Sequence, residues 1–379
     1  MELDKIWLSS PHMGGNEEKY VQDAFSTNWI APLGPNVDLF EKAISDFLSI
    51  NENHYAAALN SGTSALHLAL RLLNIKKGDT VLVQSFTFCG TTNPVSYLGA
   101  EIVFIDSEIE TWNICPISLE KAINDNKNKN IKAIIPVHLY GMPAKMEEIE
   151  LIAKRYEIPI IEDAAEALGS KYKNKFCGTF GTMSILSFNG NKIITTSGGG
   201  ALVSKSKNYT NMARFYATQA RDSAPHYQHS KIGYNYRMSN VLAGIGRGQM
   251  EVLHDRISKR RANNKLYREF FKNIDGITFQ TEPNKNYFSN YWLTTVLIDP
   301  EKTGGITNEV IRLKLSEMNI ESRPLWKPMH MQPIYKNSKF YGTGFCENLF
   351  NFGLCLPSGS NLTENEFDRI FNTLSKIFK

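Results

Sequence analysis

The sequence predicts an α/β protein, with a mainly parallel sheet covered by helices and a smaller C-terminal α+β domain. Short apolar runs (Tyr55–Leu59, Thr80–Val83, Ile102–Ile105, Ile131–Val137, Ile158–Ile161) alternate with helical stretches through the first half. That alternation is the pattern of βα units around a buried parallel sheet. Near Val241 the character changes: a long helical stretch with Leu242, Ile245, Met250, Leu253 and Ile257 leads into a more polar region. Residues 1–250 are expected to form the large domain and 251–379 the small one.

In chain order, Asn16 opens a helix over 16–28, with Glu17 and Glu18 in its first turn. A loop with two prolines and a glycine, Asn28 to Pro35, precedes a helix presenting Val37, Phe40, Ile44 and Phe47 on one face. After the strand Tyr55–Leu59, Asn60-Ser61-Gly62-Thr63-Ser64 opens an apolar helix. A strand, a small polar turn and a helix bind phosphate through orphan N–H groups and the helix dipole. Ordinary N-capping explains the same residues. Phe86 to Thr92 turns into the next helix, Ser118 caps a short one, and another spans about 145–157. Later strands (Trp292–Ile298, near Ile320–Arg323) and helices (308–318, 364–378) belong to the small domain. Ser61, Phe88, His138 and Asp163 fall at carboxyl ends of strands, where ligands of such sheets sit.

Composition narrows the function. The chain has 379 residues, 42% hydrophobic and 21% charged, as in a globular protein with a large core. A net charge of +4 and the absence of any basic block argue against a nucleic-acid partner. Lys259-Arg260-Arg261 lies in a helical stretch and reads as a solvated face. MELDKIWLSS has no apolar leader, and no run reaches the roughly 18 apolar residues of a membrane span. The five cysteines are scattered without a C-x-x-C pair, and the eight histidines lack metal spacing. No metal site, no disulfide framework and a cytoplasmic location are expected.

The most informative stretch is Ser184 to Gly200, an apolar run, a polar turn, Lys192, two isoleucines, two threonines and three glycines. Burial lowers a lysine's pKa, and a partly neutral lysine forms Schiff bases. A surface lysine in a loop is the plain alternative. Asp163 ends a buried strand, where a carboxylate needs a cation or a capping role. Pyridoxal phosphate needs a lysine for its aldehyde, an acid for its ring nitrogen, a phosphate cup and a flat group over the ring. Lys192, Asp163, Ser61-Gly62-Thr63 with Ser187, and Phe88 supply all four.

These blocks, with Ile161 to Glu166, Gly233-Tyr234-Asn235-Tyr236-Arg237-Met238-Ser239 and Arg323 to His330, resemble the DegT group of nucleotide-sugar aminotransferases, fold type I pyridoxal phosphate enzymes. The likeness runs nearly end to end. It is nearest to the PglE-type branch of bacillosamine synthesis, through Ser9 to Glu17, Asn189-Gly190-Asn191-Lys192 and Ser197 to Gly200. Many members carry Gly-Glu-Gly-Gly after the lysine, and histidine or glutamine where Glu166 stands. The resemblance implies catalytic Lys192 and Asp163, and Glu166 near the cofactor's 3′-hydroxyl. It also implies a homodimer in which Asn235 reaches the partner's cofactor phosphate. It implies L-glutamate as donor, its carboxylate held by one of Arg214, Arg221, Arg237 and Arg323. The implied acceptor is UDP-4-keto-6-deoxy-N-acetyl-D-glucosamine, aminated at C4, with Trp29, Arg323, Trp326, Lys327 and His330 as sugar-nucleotide contacts. Both tryptophans could instead pack between domains. Other nucleotide-linked keto sugars stay open as acceptors. Related sugar dehydratases have histidine at the lysine position. A non-catalytic cofactor-binding regulator is the remaining alternative.

Overall fold

The computed structural model describes residues 3–49 and 52–378. The N-terminal part alternates as expected. Helices α1 (Glu17–Ser26) and α2 (Pro35–Leu48) precede β1 (Tyr55–Leu59), α3 (Gly62–Leu72), β2 (Asp79–Gln84), α4 (Cys89–Tyr97) and β3 (Glu101–Ile105). Then come α5 (Pro116–Asp125), β4 (Asn130–Ile135), α6 (Met146–Arg155), β5 (Ile161–Asp163), the short hairpin β6 (Lys171–Tyr172) and β7 (Lys175–Phe176), β8 (Met183–Ser187) and β9 (Gly200–Ser204). β14 (Lys339–Tyr341), β3, β2 and β4 pair in parallel, as do β5 and β8. Parallel bridges Ile134 to Ile160 and Val137 to Asp163 join the two groups into one sheet, ordered β1-β9-β8-β5-β4-β2-β3-β14. Only β9 runs against its neighbours, β1 and β8. Every residue of β2 is buried, because helices cover both faces of the sheet.

The core lies on both faces. Leu66 and Leu70 of α3 and Ala213 and Tyr216 of α7 (Lys207–Ala217) pack on Val81, Ile161 and Leu202. On the other face Phe40 and Ile44 of α2 meet Phe188, Ile193 and Ile194, with the Phe40 and Phe188 rings 5.0 Å apart, edge to face. The two isoleucines after Lys192 are therefore anchors in this core. They hold an otherwise irregular loop.

The long helix expected from Val241 breaks at Val252 into α8 (Asn240–Glu251) and α9 (Leu253–Phe271). A second sheet follows, of β10 (Ile277–Phe279), β12 (Thr294–Ile298), β15 (Gly353–Leu356) and β13 (Arg323–Pro324), while β11 (Tyr287–Phe288) pairs with β6. It is flanked by α10 (Asn308–Glu317), α11 (Phe345–Phe352) and α12 (Glu364–Ile377). The chain crosses the boundary expected at 250/251 twice. Ile6 bridges to Ile320 and is buried with Tyr267, Val296 and Leu354, and β14 returns to the edge of the large sheet. Asp106 secures that return, its carboxylate accepting from the backbone N–H groups of Thr343, Gly344, Phe345 and Cys346.

Two local readings, at Ser118 and Arg260, are corrected, and that of Asn16 holds in position without a side-chain cap. Ser118 does not cap α5: the helix starts at Pro116, whose fixed φ and missing N–H suit the first turn. Asn16 sits at the start of α1, but its side chain donates to Glu251. Glu17 instead closes the turn, accepting from the N–H groups of Gly14 (2.6 Å) and Gly15 (2.7 Å). Arg260 is no part of a solvated face, being only 1% exposed. Among the described residues no helix is long and apolar enough to cross a membrane.

Candidate active site

A cavity of about 830 Å³ opens where the loops after β1, β2, β5 and β8 converge. Ser61, Gly62, Thr63, Phe88, Asp163, Glu166, Ser187, Lys192, Arg323 and Trp326 all line it.

At the β1 end, Ser61 caps α3. Its hydroxyl accepts from Ser64 N at 3.0 Å, and Ser64 returns the bond to Ser61 N. The capping explanation of this turn is therefore correct, and the cap leaves further donors over. Among the described residues, the N–H groups of Gly62 and Thr63 and the hydroxyls of Thr63 and Ser187 have no hydrogen-bond acceptor or donor. Small residues keep the space around them open. A Cβ on Gly90 would lie 3.3 Å from Thr63 Oγ1, and one on Gly62 would lie 3.2 Å from Ser187 Cβ. Free donors at a helix N-terminus fit a phosphate dianion.

Asp163 is 6% exposed. Its Oδ2 accepts from Thr91 Oγ1 at 2.6 Å and its Oδ1 from Ala165 N at 3.1 Å; Thr91 is backed by Thr87 at 2.7 Å. No cationic side chain pairs with it among the described residues. A buried carboxylate without a cation is costly, so a protonated ring nitrogen fits this position. The neighbouring strand-end groups are already committed. His138 Nδ1 accepts from Ala144 N, which leaves its Nε2–H to donate to Glu162 at 2.9 Å. Glu162 also takes the N–H groups of Gly178, Phe180 and Gly181. This pair is fully buried and does not line the cavity.

Lys192 sits in the turn after β8, its N–H bonded to Asn189 O at 2.9 Å. Its side chain is 11% exposed. Nζ lies 3.1 Å from Glu166 Oε1 and 4.1 Å from the centre of the Trp292 ring. Glu166 Oε2 accepts from Tyr140 N at 2.7 Å, a donor aimed by the left-handed backbone of Tyr140 (φ 54°). Burial pushes the Glu166 carboxyl up to about 7, against the pull of Lys192 and the Tyr140 N–H. A raised folded pKa means that the folded cofactor-free chain keeps a proton which the unfolded chain sheds near 4.5. Its stability should therefore fall as pH rises from 4.5 towards 7, by about 3 kcal/mol from this group. Glu166→Gln should remove that slope. Urea midpoints of wild type and variant at pH 5 and 8 measure it, and parallel pH dependence would contradict the shift.

Four of the named residues do not line the cavity: Trp29, Lys327, His330 and Asn235. The His330 Nδ1 is 2.7 Å from Ser85 Oγ, and its ring stacks on Phe340 at 3.8 Å. Trp29 is 39% exposed, and its carbonyl accepts from Asn240. Trp326 packs against Phe88 at 5.6 Å and Tyr140 at 5.4 Å while still facing the cavity. Asn235 is exposed, with its side chain bare and its carbonyl bonded to Asn60. Of the four arginines only Arg323 lines the cavity. Arg214 and Arg237 are committed to buried Glu41, and Arg221 stacks over Tyr227. Arg323 itself pairs with Glu321 at 2.8 Å.

Trp7, Ser9, Thr91, Asn191, Trp292 and Glu321 line the cavity without having been singled out. Thr91 was within reach of sequence reasoning, one helical turn beyond Phe88 in a marked turn. Ser9 and Asn191 lie in blocks the sequence analysis marks, while Trp7, Trp292 and Glu321 come from segments with no local chemical signature.

Lys192, Asp163 and the Ser61–Thr63 turn stand together at the carboxyl edge of one sheet, an arrangement that fits a fold type I pyridoxal phosphate enzyme. The chain belongs to the DegT/DnrJ/EryC1/StrS aminotransferase family, which matches residues 11–375. It is a pyridoxal phosphate-dependent sugar aminotransferase. It is 51% identical over 380 residues to the Bacillus subtilis (strain 168) protein named "Putative pyridoxal phosphate-dependent aminotransferase EpsN", covering 99% of this chain and 96% of that one. It is 37% identical to the GDP-perosamine synthase of Escherichia coli O157:H7, with 98% of each chain covered. The crystal structure of a DegT DnrJ EryC1 StrS aminotransferase from Brucella abortus superposes with a TM-score of 0.87 at 27% identity, covering 96% of this chain and 95% of that one.

Proposed function

We propose that this enzyme moves the amino group of L-glutamate to C4 of UDP-4-keto-6-deoxy-N-acetyl-D-glucosamine, giving the 4-amino-4,6-dideoxy sugar and 2-oxoglutarate. The carrying observation is the gradation of the cavity. Its inner end holds Lys192 and Asp163, 11% and 6% exposed, whereas its rim holds Trp7 and Arg323, 51% and 69% exposed. A volume of about 830 Å³ has room for a cofactor and a sugar together. The rim offers aromatic faces and a cation for the nucleoside diphosphate.

Bound pyridoxal phosphate supplies the aldehyde and the electron-accepting ring for amino-group transfer. Lys192 would hold the aldehyde, Asp163 the ring nitrogen, Ser61, Gly62, Thr63 and Ser187 the phosphate, and Phe88 would cover the ring. Lys192 Nζ, once free, would take the proton from the donor's Cα and pass it to the cofactor within the first half of the cycle, and in the second half would take one back from the cofactor and deliver it to C4 of the sugar. Glu166 Oε1 steadies that ammonium whenever Nζ carries the proton. Arg323 receives the donor carboxylate in exchange for Glu321.

The specific sugar rests on the likeness of Pro11 to Gly15 and Arg323 to His330 to the bacillosamine branch. A second reading, a GDP-linked keto sugar, is favoured by the relatives named GDP-perosamine synthase. A competition assay decides, with 4-keto sugars on UDP, dTDP and GDP supplied together with glutamate. The UDP sugar should be aminated first, and the dTDP sugar slowly, since a missing apolar contact separates substrates by only about 1–3 kcal/mol. Preference for the GDP sugar, or amination at C3, would overturn the substrate and leave the transaminase.

We infer further that the active unit is a homodimer. Supporting this, Asn235 is exposed beside Asn60 at the rim of the phosphate cup with its side chain bare. Mixing inactive Lys192→Ala and Asn235→Ala chains should restore part of the activity in hybrid dimers. A fully active monomer in sedimentation would refute shared sites.

A further inference from the structure

Arg260 is 1% exposed on α9, yet no carboxylate pairs with it among the described residues. It bonds only neutral oxygens: Trp292 O at 2.5 Å, Ser358 O at 3.3 Å and Ser9 Oγ at 2.9 Å. A buried cation is expensive, so its retention here asks for a reason.

The reason lies one bond further on. Ser9 accepts from Arg260, so its single proton points the other way, to Asn191 O at 2.7 Å. The indole N–H of Trp292 donates to the same oxygen at 2.7 Å. Asn191 O belongs to the peptide that leads into Lys192, and holding it fixes the plane from which the Lys192 side chain starts. The Trp292 ring also lies 4.1 Å from Nζ. The network joins the N-terminal segment, the lysine loop and the C-terminal part, none of which is a sequence neighbour of another.

We propose that Ser9, Trp292 and Arg260 form a positioning unit that sets where Lys192 Nζ stands during its proton transfer. Arg260 acts through the other two, and none of the three needs to exchange a proton. The inference rests on Lys192 being the reacting lysine and is independent of which sugar is aminated.

Ser9→Ala and Trp292→Phe each delete one donor to Asn191 O, and the second keeps a ring. Each should lower kcat about tenfold, as expected for one lost hydrogen bond, with KM for the donor changed less than twofold. Ser9→Thr, which keeps the hydroxyl, should stay within twofold of wild type. The readout beyond turnover is acylation of Lys192 by an amine-selective reagent in the cofactor-free full chain, followed by mass spectrometry. Ser9→Ala and Trp292→Phe should change the rate at Lys192 severalfold and leave other lysines unchanged. Arg260→Gln combined with Ser9→Ala should be non-additive, and if Arg260→Gln does not fold, the Ser9 and Trp292 variants decide alone. A lower melting temperature with unchanged kcat and unchanged Lys192 acylation would overturn the proposal, as would Ser9→Thr falling as far as Ser9→Ala. Lys192→Ala serves as the control: if it stays active, the reading of Lys192 fails, whatever the other variants do.

Discussion

Lys192→Ala should abolish turnover, with a loss of at least about 10³-fold. Positioned proton transfer alone contributes roughly 10²–10⁴-fold, and the variant also removes the amine that would hold the cofactor's aldehyde. Nothing nearby replaces it. Glu166, the group closest to Nζ, is held by Tyr140 N and points at Lys192 itself. The fold should survive, because the loop is anchored by Ile193 and Ile194, which are 4% and 1% exposed, and not by the lysine. Single-turnover formation of 2-oxoglutarate, measured beside circular dichroism, separates the two effects. Amination at the wild-type rate would remove Lys192 from the mechanism.

Asp163→Asn should separate binding from chemistry. The amide keeps an oxygen for Ala165 N and a similar shape, and Thr91 can turn its hydroxyl proton towards Thr87. The buried negative charge is lost, and breaking a buried charge pair costs about 3–5 kcal/mol. Expressed in the rate, that energy lowers turnover by roughly 10²–10⁴-fold. Cofactor should remain bound through the cup, so its absorbance should persist at saturating concentration while the rate collapses. Near-normal turnover would mean that Asp163 serves only Thr91 and Ala165.

The residues that the structure brings into one cavity share a physical basis. Asp163 and the Ser61–Thr63 turn lie at a strand end and a helix start, where backbone geometry points a side chain or an N–H group towards the sheet edge, and Lys192 follows β8 in a loop anchored by Ile193 and Ile194. The readings that changed depended on partners far along the chain. His330, which the resemblance names as a substrate contact, stands outside the cavity lining, against Ser85 and Phe340. Arg260 looked solvated because its neighbours Lys259 and Arg261 are charged. Its own place one turn after Arg256 puts it against Trp292, Ser358 and Ser9.

By itself the sequence determined the alternating architecture, and it singled out Lys192, Asp163 and the Ser61–Thr63 turn, which the structure brings into one cavity, since each is written within a few residues as apolar period, turn chemistry or helix start. Only the tertiary structure decided what surrounds them. The sheet order brings β5 beside β8, so that Glu166 meets Lys192. The N-terminal segment docks on the C-terminal sheet, so that Ser9 and Trp292 reach the same carbonyl. Of the four candidate arginines only Arg323 is left facing the cavity, because Glu41 is buried where it takes up both Arg214 and Arg237. Local patterning carries no information about such pairings, because they are set by which distant surfaces bury each other.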